Sequence, residues 1–144
     1  YQILEDNLNE TELVLAGIID HGYTLAKRLK NVLEKIAAIK INLIKIELDK
    51  NSTHLRVKTD IAVAEAANKV VILVDDVLNT GRTLAYGLKP FLDTEVKKIE
   101  TAVLVNRSHT LFPIYPQYTG YELSTTIKDH VVVMLGKDAA VYLK

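Results

Sequence analysis

Short apolar segments alternate with helical segments along the chain. Four segments are apolar on both faces or alternate in polarity, and each predicts a β-strand: residues 13–19, 41–48, 70–74 and 99–105. Residues 24–38 carry apolar side chains at the spacing of an amphipathic helix, and residues 83–92 are also predicted to be helical. This alternation predicts an α/β domain with a doubly wound, mainly parallel sheet flanked by helices.

A polar loop and a late pair of strands complete the predicted organisation. Residues 49–59 are polar and lack a periodic apolar face, which predicts a long mobile loop. Residues 131–135 and 140–143 predict a late pair of strands around a turn at residues 136–138.

The composition is that of an ordinary globular domain. The 144 residues are 49% hydrophobic, and 18 basic residues balance 18 acidic ones, so no net charge draws the protein toward nucleic acid or a membrane. The lack of cysteine excludes a disulfide scaffold and thiolate metal sites. We expect a single cytoplasmic domain over residues 1–144. It begins without Met, and residues 1–9 are interpreted as the tail of a helix whose start is missing.

Doubly wound sheets bind ligands beyond the carboxyl ends of their strands. Three loops of this chain meet that condition: residues 19–22, 75–82 and 106–109. The second loop belongs to the string VVILVDDVLNTGRT at residues 70–83, an apolar strand followed by two aspartates and a polar loop that opens a helix. This string carries the candidate chemistry.

The polar loop of this string has the properties of an anion site. Backbone N–H groups at a helix N-terminus lack intrahelical partners and favour a phosphate. Gly81 allows the backbone to approach that phosphate, and Thr80 and Thr83 add hydroxyl donors. The loop therefore predicts a phosphate site.

The two aspartates suit another part of the same ligand. The carboxylates of Asp75 and Asp76 would repel a phosphate, but they suit the neighbouring hydroxyls of a ribose, with or without a bridging Mg²⁺. Each residue alone is also consistent with a helix cap or a solvated strand end. The ordered string after an apolar strand favours a site for a ribose 5-phosphate.

This string resembles the phosphoribosyl diphosphate signature of type I phosphoribosyltransferases, in which a hydrophobic strand precedes Asp-Asp and Thr-Gly-x-Thr. More narrowly, the chain resembles the family of bifunctional pyrimidine-operon regulators and uracil phosphoribosyltransferases. The resemblance covers nearly the whole chain. It rests on residues 22–29, 74–83 and 102–105, and on Arg107, His109, Pro113, Ile114, Tyr118, Gly120, Ser124 and Thr125.

The resemblance implies a type I phosphoribosyltransferase-like fold and a reaction. In that reaction a nucleobase nitrogen displaces diphosphate from C1 of phosphoribosyl diphosphate, with Mg²⁺ as cofactor. Asp75 and Asp76, called the acidic pair below, would be the catalytic carboxylates that hold the ribose hydroxyls, directly or through Mg²⁺. The 5-phosphate would lie in what we call the phosphate loop: Asn79, Thr80, Gly81, Arg82 and Thr83.

Three further segments would complete the site by the same resemblance. They are the loop for the departing diphosphate (Asp20, His21 and Gly22, within residues 19–22, called the diphosphate loop below), the base side (Asn106 and Arg107) and a flexible lid (Asp49 and Lys50).

The diphosphate loop departs from the family pattern. Family members carry Lys-Thr-Arg-Gly at this place, whereas residues 19–22 of this chain are Ile-Asp-His-Gly. A carboxylate beside diphosphate opposes binding, and a protonated His21 would compensate in part. Two functions therefore stay open. One is a phosphoribosyltransferase for uracil or another small nucleobase; the other is a catalytically weak or inactive regulator that binds nucleotide or phosphoribosyl diphosphate.

The RNA-binding activity of the family is not expected in this chain. Thr110 and Tyr115 stand where relatives carry arginines, and neither can neutralise a phosphate. The expected partners are phosphoribosyl diphosphate and a nucleobase or nucleotide, with no membrane. Apolar loops that carry tyrosine and isoleucine predict a homodimer or a higher homo-oligomer.

Overall fold

A six-stranded sheet forms the centre of the structure, a computed structural model that describes residues 1–49, 51, 55–126 and 128–144. Its strands are β1 (Glu12–Ile18), β2 (Lys40–Asp49), β3 (Arg56–Thr59), β4 (Val70–Leu78), β5 (Lys98–Asn106) and β6 (Tyr118–Glu122). They lie in the order β3-β2-β1-β4-β5-β6. The sheet is parallel except for β3, which pairs antiparallel with β2.

Helices cover both faces of this sheet. They are α1 (Gln2–Glu5), α2 (His21–Ile36) and α3 (Arg82–Leu92), with a short 3₁₀ helix at Val63–Ala66. Successive strand residues point to opposite faces, so a strand covered on both sides must be apolar throughout. Leu13 and Leu15 of β1 accordingly pack with residues of α2, whereas Val14 and Ala16 pack with residues of α3. The predicted doubly wound arrangement is confirmed.

The strand order reverses between β1 and β4, which are neighbours in the sheet. The chain leaves β1 toward β2 on one side and leaves β4 toward β5 on the other. Because α2 follows β1 and α3 follows β4, both helices begin at the same edge of the sheet. Doubly wound folds bind ligands at this switch point, and the diphosphate and phosphate loops both lie there.

The predicted strands and helices are confirmed, although their ends differ. α2 begins at His21 rather than at residue 24, because the N–H of Thr24 already donates to the carbonyl of Asp20 at 3.2 Å. β4 continues to Leu78, where it still pairs with Asn106 of β5. The acidic pair therefore lies within a strand rather than after it.

The prediction of one loop over residues 49–59 is wrong at its end. β3 occupies Arg56–Thr59 and pairs with the end of β2. Only Val57 of this strand packs against the core, while Arg56 and Lys58 are exposed. An edge strand that turns a single apolar side chain inward has no apolar run, so its sequence resembles that of a polar loop.

The remaining strands form a separate hairpin. β7 (Val131–Met134) and β8 (Ala140–Leu143) pair antiparallel, as the late apolar segments predicted, and we call them the C-terminal hairpin. In the part of the chain that the structure describes, no helix combines the length and the apolar character needed to cross a bilayer.

Candidate functional site

Two glycines bring the diphosphate loop against the end of β4. A Cβ atom at Gly22 would lie 2.6 Å from the carbonyl oxygen of Val74, and one at Gly17 would lie 2.5 Å from Cα of Tyr23. Real Cβ atoms do not approach other atoms this closely, so a side chain at either position would push the start of α2 away from the sheet. Because both residues lack a side chain, the diphosphate loop can lie directly beside the acidic pair.

The two members of the acidic pair differ in burial. Asp75 is 8% exposed, whereas the side chain of Asp76 is 25% exposed. Each carboxylate accepts the next backbone N–H at 2.9 Å, Asp75 from Asp76 and Asp76 from Val77. Oδ2 of Asp76 lies 4.0 Å from Nδ1 of His21. Asp76 thus combines access to solvent with contact to the diphosphate loop.

The phosphate loop joins β4 to the first turn of α3 and contains one left-handed residue. Gly81 is the N-cap of α3 and has φ +81°, a conformation that favours glycine. The N–H of Ala85 donates to the Gly81 carbonyl at 2.9 Å, and the N–H of Arg82 donates to Oγ1 of Thr80 at 3.3 Å. The first-turn N–H groups of Thr83 and Leu84 have no acceptor within the helix and carry the positive end of its dipole.

A second loop, residues 111–114, packs behind the phosphate loop and fixes its conformation. The N–H groups of Leu111 and Phe112 both donate to the carbonyl of Thr80, at 2.8 and 3.1 Å. A Cβ atom at Gly81 would lie 3.3 Å from Cβ of Ile114, so the loop also packs tightly against this support. The amide groups are therefore arranged before any ligand arrives, which reduces the entropic cost of binding an anion.

The base side is built around a buried arginine. Arg107 is 6% exposed, and its guanidinium donates to four acceptors: Thr125 Oγ1 at 2.9 Å, Thr126 O at 3.0 Å, Asp129 O at 2.6 Å and Asn79 Oδ1 at 3.3 Å. The sequence placed Arg107 near the base but gave no sign of these bonds. They connect the phosphate loop to Thr125, Thr126 and Asp129.

Asn106 occupies the end of β5, beside this arginine. It is buried, its Oδ1 accepts the N–H of Ser108 at 3.0 Å, and its carbonyl accepts the N–H of Leu123 at 2.9 Å. Asn106 therefore orders the chain on both sides of the base-side edge. The backbone around Leu123, which follows β6, lies at this same edge.

Of the two predicted lid positions, the structure describes Asp49. Asp49 ends β2, and its Oδ1 accepts the N–H of Asn51 at 3.0 Å. Lys50, the other lid residue predicted from the sequence, lies outside the described residues. Asp49 also pairs with Arg56 at the end of β3.

The acidic pair offers two carboxylates to a metal ion. No group of three or more acidic or histidine side chains able to hold a metal occurs within residues 1–49, 51, 55–126 and 128–144. Hard oxygen donors suit Mg²⁺, which commonly takes one or two carboxylates from a protein and its other ligands from substrate phosphates and water. The donor set of Asp75 and Asp76 fits such a shared ion.

Sequence reasoning missed one residue at this edge. Arg28 of α2 donates through Nη2 to the carbonyls of Leu135 and Gly136, at 2.6 and 2.8 Å. Its sequence context is that of a basic, solvated helix face, so no local signal pointed to a contact with residues 107 and 108 positions later. Arg28 attaches the C-terminal hairpin to the helix that begins in the diphosphate loop.

Comparison with known sequences places the chain in a family. The family model described as a phosphoribosyl transferase domain matches residues 1–136. The bifunctional protein PyrR of Macrococcus caseolyticus is 33% identical over 154 residues, which cover 100% of this chain and 88% of that protein. The bifunctional protein PyrR of Limosilactobacillus reuteri is 36% identical over 143 residues, 92% of this chain and 80% of that protein.

Solved structures share the fold. The hypoxanthine phosphoribosyltransferase of Trypanosoma cruzi matches with a TM-score of 0.74 at 16% identity, over 91% of this chain and 74% of that chain. A hypoxanthine-guanine phosphoribosyltransferase of Bacillus anthracis matches with a TM-score of 0.67 at 18% identity, over 85% of this chain and 71% of that chain. At such identities the likeness concerns the fold alone, and it confirms the fold class predicted from the sequence.

Proposed function

Because the chain belongs to the type I phosphoribosyltransferase family and is therefore a phosphoribosyltransferase, we propose that it transfers the phosphoribosyl group to uracil. A bond forms between a ring nitrogen of the base and C1 of the ribose. The bond from C1 to diphosphate breaks, its electron pair leaves with the diphosphate, and the proton of the ring nitrogen passes to solvent. The products are the nucleoside 5-monophosphate and diphosphate.

One observation carries this proposal: the acidic pair and the phosphate loop flank the same switch point. The 5-phosphate would accept hydrogen bonds from the first-turn N–H groups of α3 and from the hydroxyls of Thr80 and Thr83. The support behind Thr80 would hold this anchor in place during the reaction. A fixed 5-phosphate positions C1 for attack, which lowers the entropic part of the barrier.

The acidic pair would hold the ribose. Asp76, the more exposed carboxylate, would accept hydrogen bonds from the ribose hydroxyls, and the buried Asp75 would hold the backbone of Asp76 through its N–H. Positive charge develops on the ribose as diphosphate departs, and a fixed pair of carboxylates stabilises that charge. Bound Mg²⁺ would neutralise part of the negative charge of the diphosphate.

The diphosphate loop would receive the leaving group. His21 lies next to Asp76 and is half exposed, so it can face an anion that enters from solvent. We propose that His21 and the first N–H groups of α2 serve here in place of the lysine and arginine of the family pattern.

The base would be recognised mainly by backbone groups. Four of the five N–H groups of Arg107 donate to protein acceptors and the residue is only 6% exposed, so we propose that this side chain supports the pocket rather than contacting the base. Uracil is proposed from the likeness to the bifunctional PyrR proteins, whereas the neighbours of known structure are named for hypoxanthine and guanine. Shape and backbone contacts decide between them.

A direct assay tests the proposal. Diphosphate release is measured with phosphoribosyl diphosphate and, in turn, uracil, hypoxanthine and guanine, each with and without Mg²⁺. We expect release with uracil in the presence of Mg²⁺. Release only with a purine would refute uracil as acceptor, and no release with any base would refute the enzymatic proposal.

Asp20 favours a second candidate function, a regulator that binds nucleotide or phosphoribosyl diphosphate with little or no turnover. Its carboxylate adds negative charge to the loop that the leaving diphosphate would occupy. Calorimetry distinguishes the two functions, because a regulator binds nucleotide while diphosphate release stays at background. Steady turnover with any base would rule the regulator out.

We further propose that the protein is cytoplasmic and forms a homodimer or a higher homo-oligomer. Support comes from Leu111 and Tyr115, each 81% exposed on or beside the loop behind the phosphate loop, because large apolar side chains at such exposure are typical of subunit interfaces. Sedimentation equilibrium tests it: a monomer at micromolar concentration contradicts it, and a Leu111→Asp variant is expected to shift a dimer toward monomer.

A further inference from the structure

The C-terminal hairpin is held against the rest of the molecule by few apolar contacts. Within its two strands, all eight residues of which are described, only Val133 is buried. An apolar cleft of about 600 Å³ lies between the hairpin and the rest of the domain, lined by Leu25 of α2, by Leu104 and Tyr121 of the sheet, and by Val141 and Leu143 of the hairpin. Burial of apolar surface therefore contributes little to the orientation of the hairpin.

Two arginines attach the hairpin instead. Arg107 donates to the carbonyl of Asp129 at 2.6 Å, just before β7 begins, and so holds the base of the hairpin. Arg28 donates to the carbonyls of Leu135 and Gly136, where β7 enters the turn, and so holds the tip. Hydrogen bonds from a charged donor are stronger than those between neutral groups, and two bonds from one guanidinium also fix direction.

The tip of the hairpin faces the diphosphate loop. A cleft of about 320 Å³ lies between them, lined by Asp20, His21 and Thr24 on the α2 side and by Met134, Leu135 and Gly136 on the hairpin side. One wall of this cleft is therefore the loop proposed to receive diphosphate, and the other wall is the segment that Arg28 holds.

We propose that Arg28 is a positioning residue that holds the hairpin tip over the diphosphate loop and thereby sets the width of the cleft between them. Without Arg28 the hairpin remains attached at its base by Arg107, so it can swing about residues 129–130. The cleft then opens toward solvent, and a ligand in it loses contacts on one side. This inference rests on the proposed function, because that function places the diphosphate end of the substrate in the cleft.

Hydrogen exchange of the free protein measures the structural part of the inference. In Arg28→Gln and Arg28→Ala, amide exchange in β7 and β8 is expected to become about tenfold faster, the size expected for the loss of charge-assisted hydrogen bonds. Exchange in β1 and β4 should stay unchanged. Equal exchange in the hairpin of wild type and both variants would overturn the inference without touching the proposed function.

Steady-state kinetics measure the functional part. Both variants should raise KM for phosphoribosyl diphosphate about tenfold with kcat changed by less than about twofold, because the cleft binds the substrate but does not contact the bond-forming nitrogen. A role in stability alone would lower the active fraction and hence kcat, and would leave KM unchanged. Faster hairpin exchange with an unchanged KM would therefore also overturn the inference.

Two further variants complete the design. Lys35→Ala removes a positive charge from the exposed last turn of the same helix and should match wild type in exchange and KM. Arg28→Lys keeps the charge but not the planar pair of donors and should fall between wild type and Arg28→Gln. If wild type has no turnover, calorimetric Kd for phosphoribosyl diphosphate replaces KM with the same expected ratios. A wild type that neither turns over nor binds would refute the proposed function, whereas the exchange result would still decide whether Arg28 holds the hairpin.

Discussion

Nη1 of Arg107 lies 3.3 Å from Oδ1 of Asn79, so the phosphate loop shares a guanidinium with the segment of Thr125, Thr126 and Asp129. The two segments are far apart in sequence, and Arg107 lies between them in the chain. Any movement of the phosphate loop therefore changes the surroundings of a buried charge. This connection makes the site a single unit rather than a set of separate loops.

Removal of Arg107 is expected to destabilise the fold. Arg107→Ala removes a buried guanidinium and its four hydrogen bonds to partly buried or exposed acceptors on two segments, at a cost of about 3 kcal/mol in the free energy of unfolding. Asn79→Ala removes one bond and should cost about 1 kcal/mol. Denaturant unfolding measures both, and the double variant should be less destabilised than the sum. Arg56→Ala, on the exposed face of β3, is the matched control, and an equal loss in it would contradict this role of Arg107.

Asp76 is expected to matter for turnover rather than for stability. Asp76→Asn keeps the acceptor for the Val77 N–H but loses the charge, so kcat should fall about a hundredfold while the melting temperature changes little. Asp93→Asn, at the opposite end of α3, should keep wild-type turnover. Parallel losses of activity and melting temperature in Asp76→Asn would argue against a role in the reaction.

Gly22 is expected to tolerate no side chain. In Gly22→Ala the new methyl group would meet the carbonyl of Val74, so we expect a loss of about 1–3 kcal/mol in the free energy of unfolding, together with weaker substrate binding. Gly136→Ala is the matched control, because a Cβ atom there meets nothing within 4 Å. Thermal and denaturant unfolding compare the two, and similar stability of both variants would show that the close approach is unimportant.

Two substitutions in the diphosphate loop are expected to lower KM for phosphoribosyl diphosphate. His21→Arg supplies a permanent cation and Asp20→Thr removes a negative charge, and each should lower KM for phosphoribosyl diphosphate about tenfold, since charges about 4 Å apart near a protein surface interact by about 1–4 kcal/mol. The measurement is the initial rate against substrate concentration at fixed Mg²⁺. An unchanged KM in both variants would remove this loop from the substrate contacts.

Glu12 is expected to give the fold an acid-sensitive contribution. The side-chain amide of Asn42 and then the ammonium of Lys40 lower the pKa of Glu12 from 4.5 to about 2. A carboxyl whose pKa is depressed by folding stabilises the native state above pH 4.5, and that stabilisation disappears as the pH falls toward about 2. Glu12→Gln should therefore melt at a lower temperature than wild type at pH 7, with the difference closing below pH 4.5. A constant difference across this range would contradict the assignment.

The sequence predicted those parts of the molecule whose signals are local. β1 and β4 are apolar on both faces, and the phosphate loop follows β4 directly, so pattern and chemistry coincide in one short string. β6 was missed because only Tyr118 of that strand is buried, while Gly120 and Glu122 give it the appearance of a loop. Its strand character comes from backbone pairing with β5, which leaves no mark on the side chains.

The supporting contacts of the site could not be predicted for a related reason. Arg28 and Arg107 act through carbonyl groups of distant segments, and a carbonyl is present at every residue whatever its side chain. Only the folded chain shows which carbonyls they meet. The same holds for Thr80, whose carbonyl accepts two N–H groups from the loop behind it.

The bare backbone contact between Gly22 and Val74 has a practical meaning for engineering. No side chain lies between the diphosphate loop and the end of β4 at this point. A displacement of one backbone segment therefore displaces the other, because no side chain can change its conformation to accommodate it. Libraries that seek new substrates should therefore hold Gly17 and Gly22 constant and diversify the residues between Ile18 and Gly22. Insertions at the start of α2 would disturb both halves of the pocket at once.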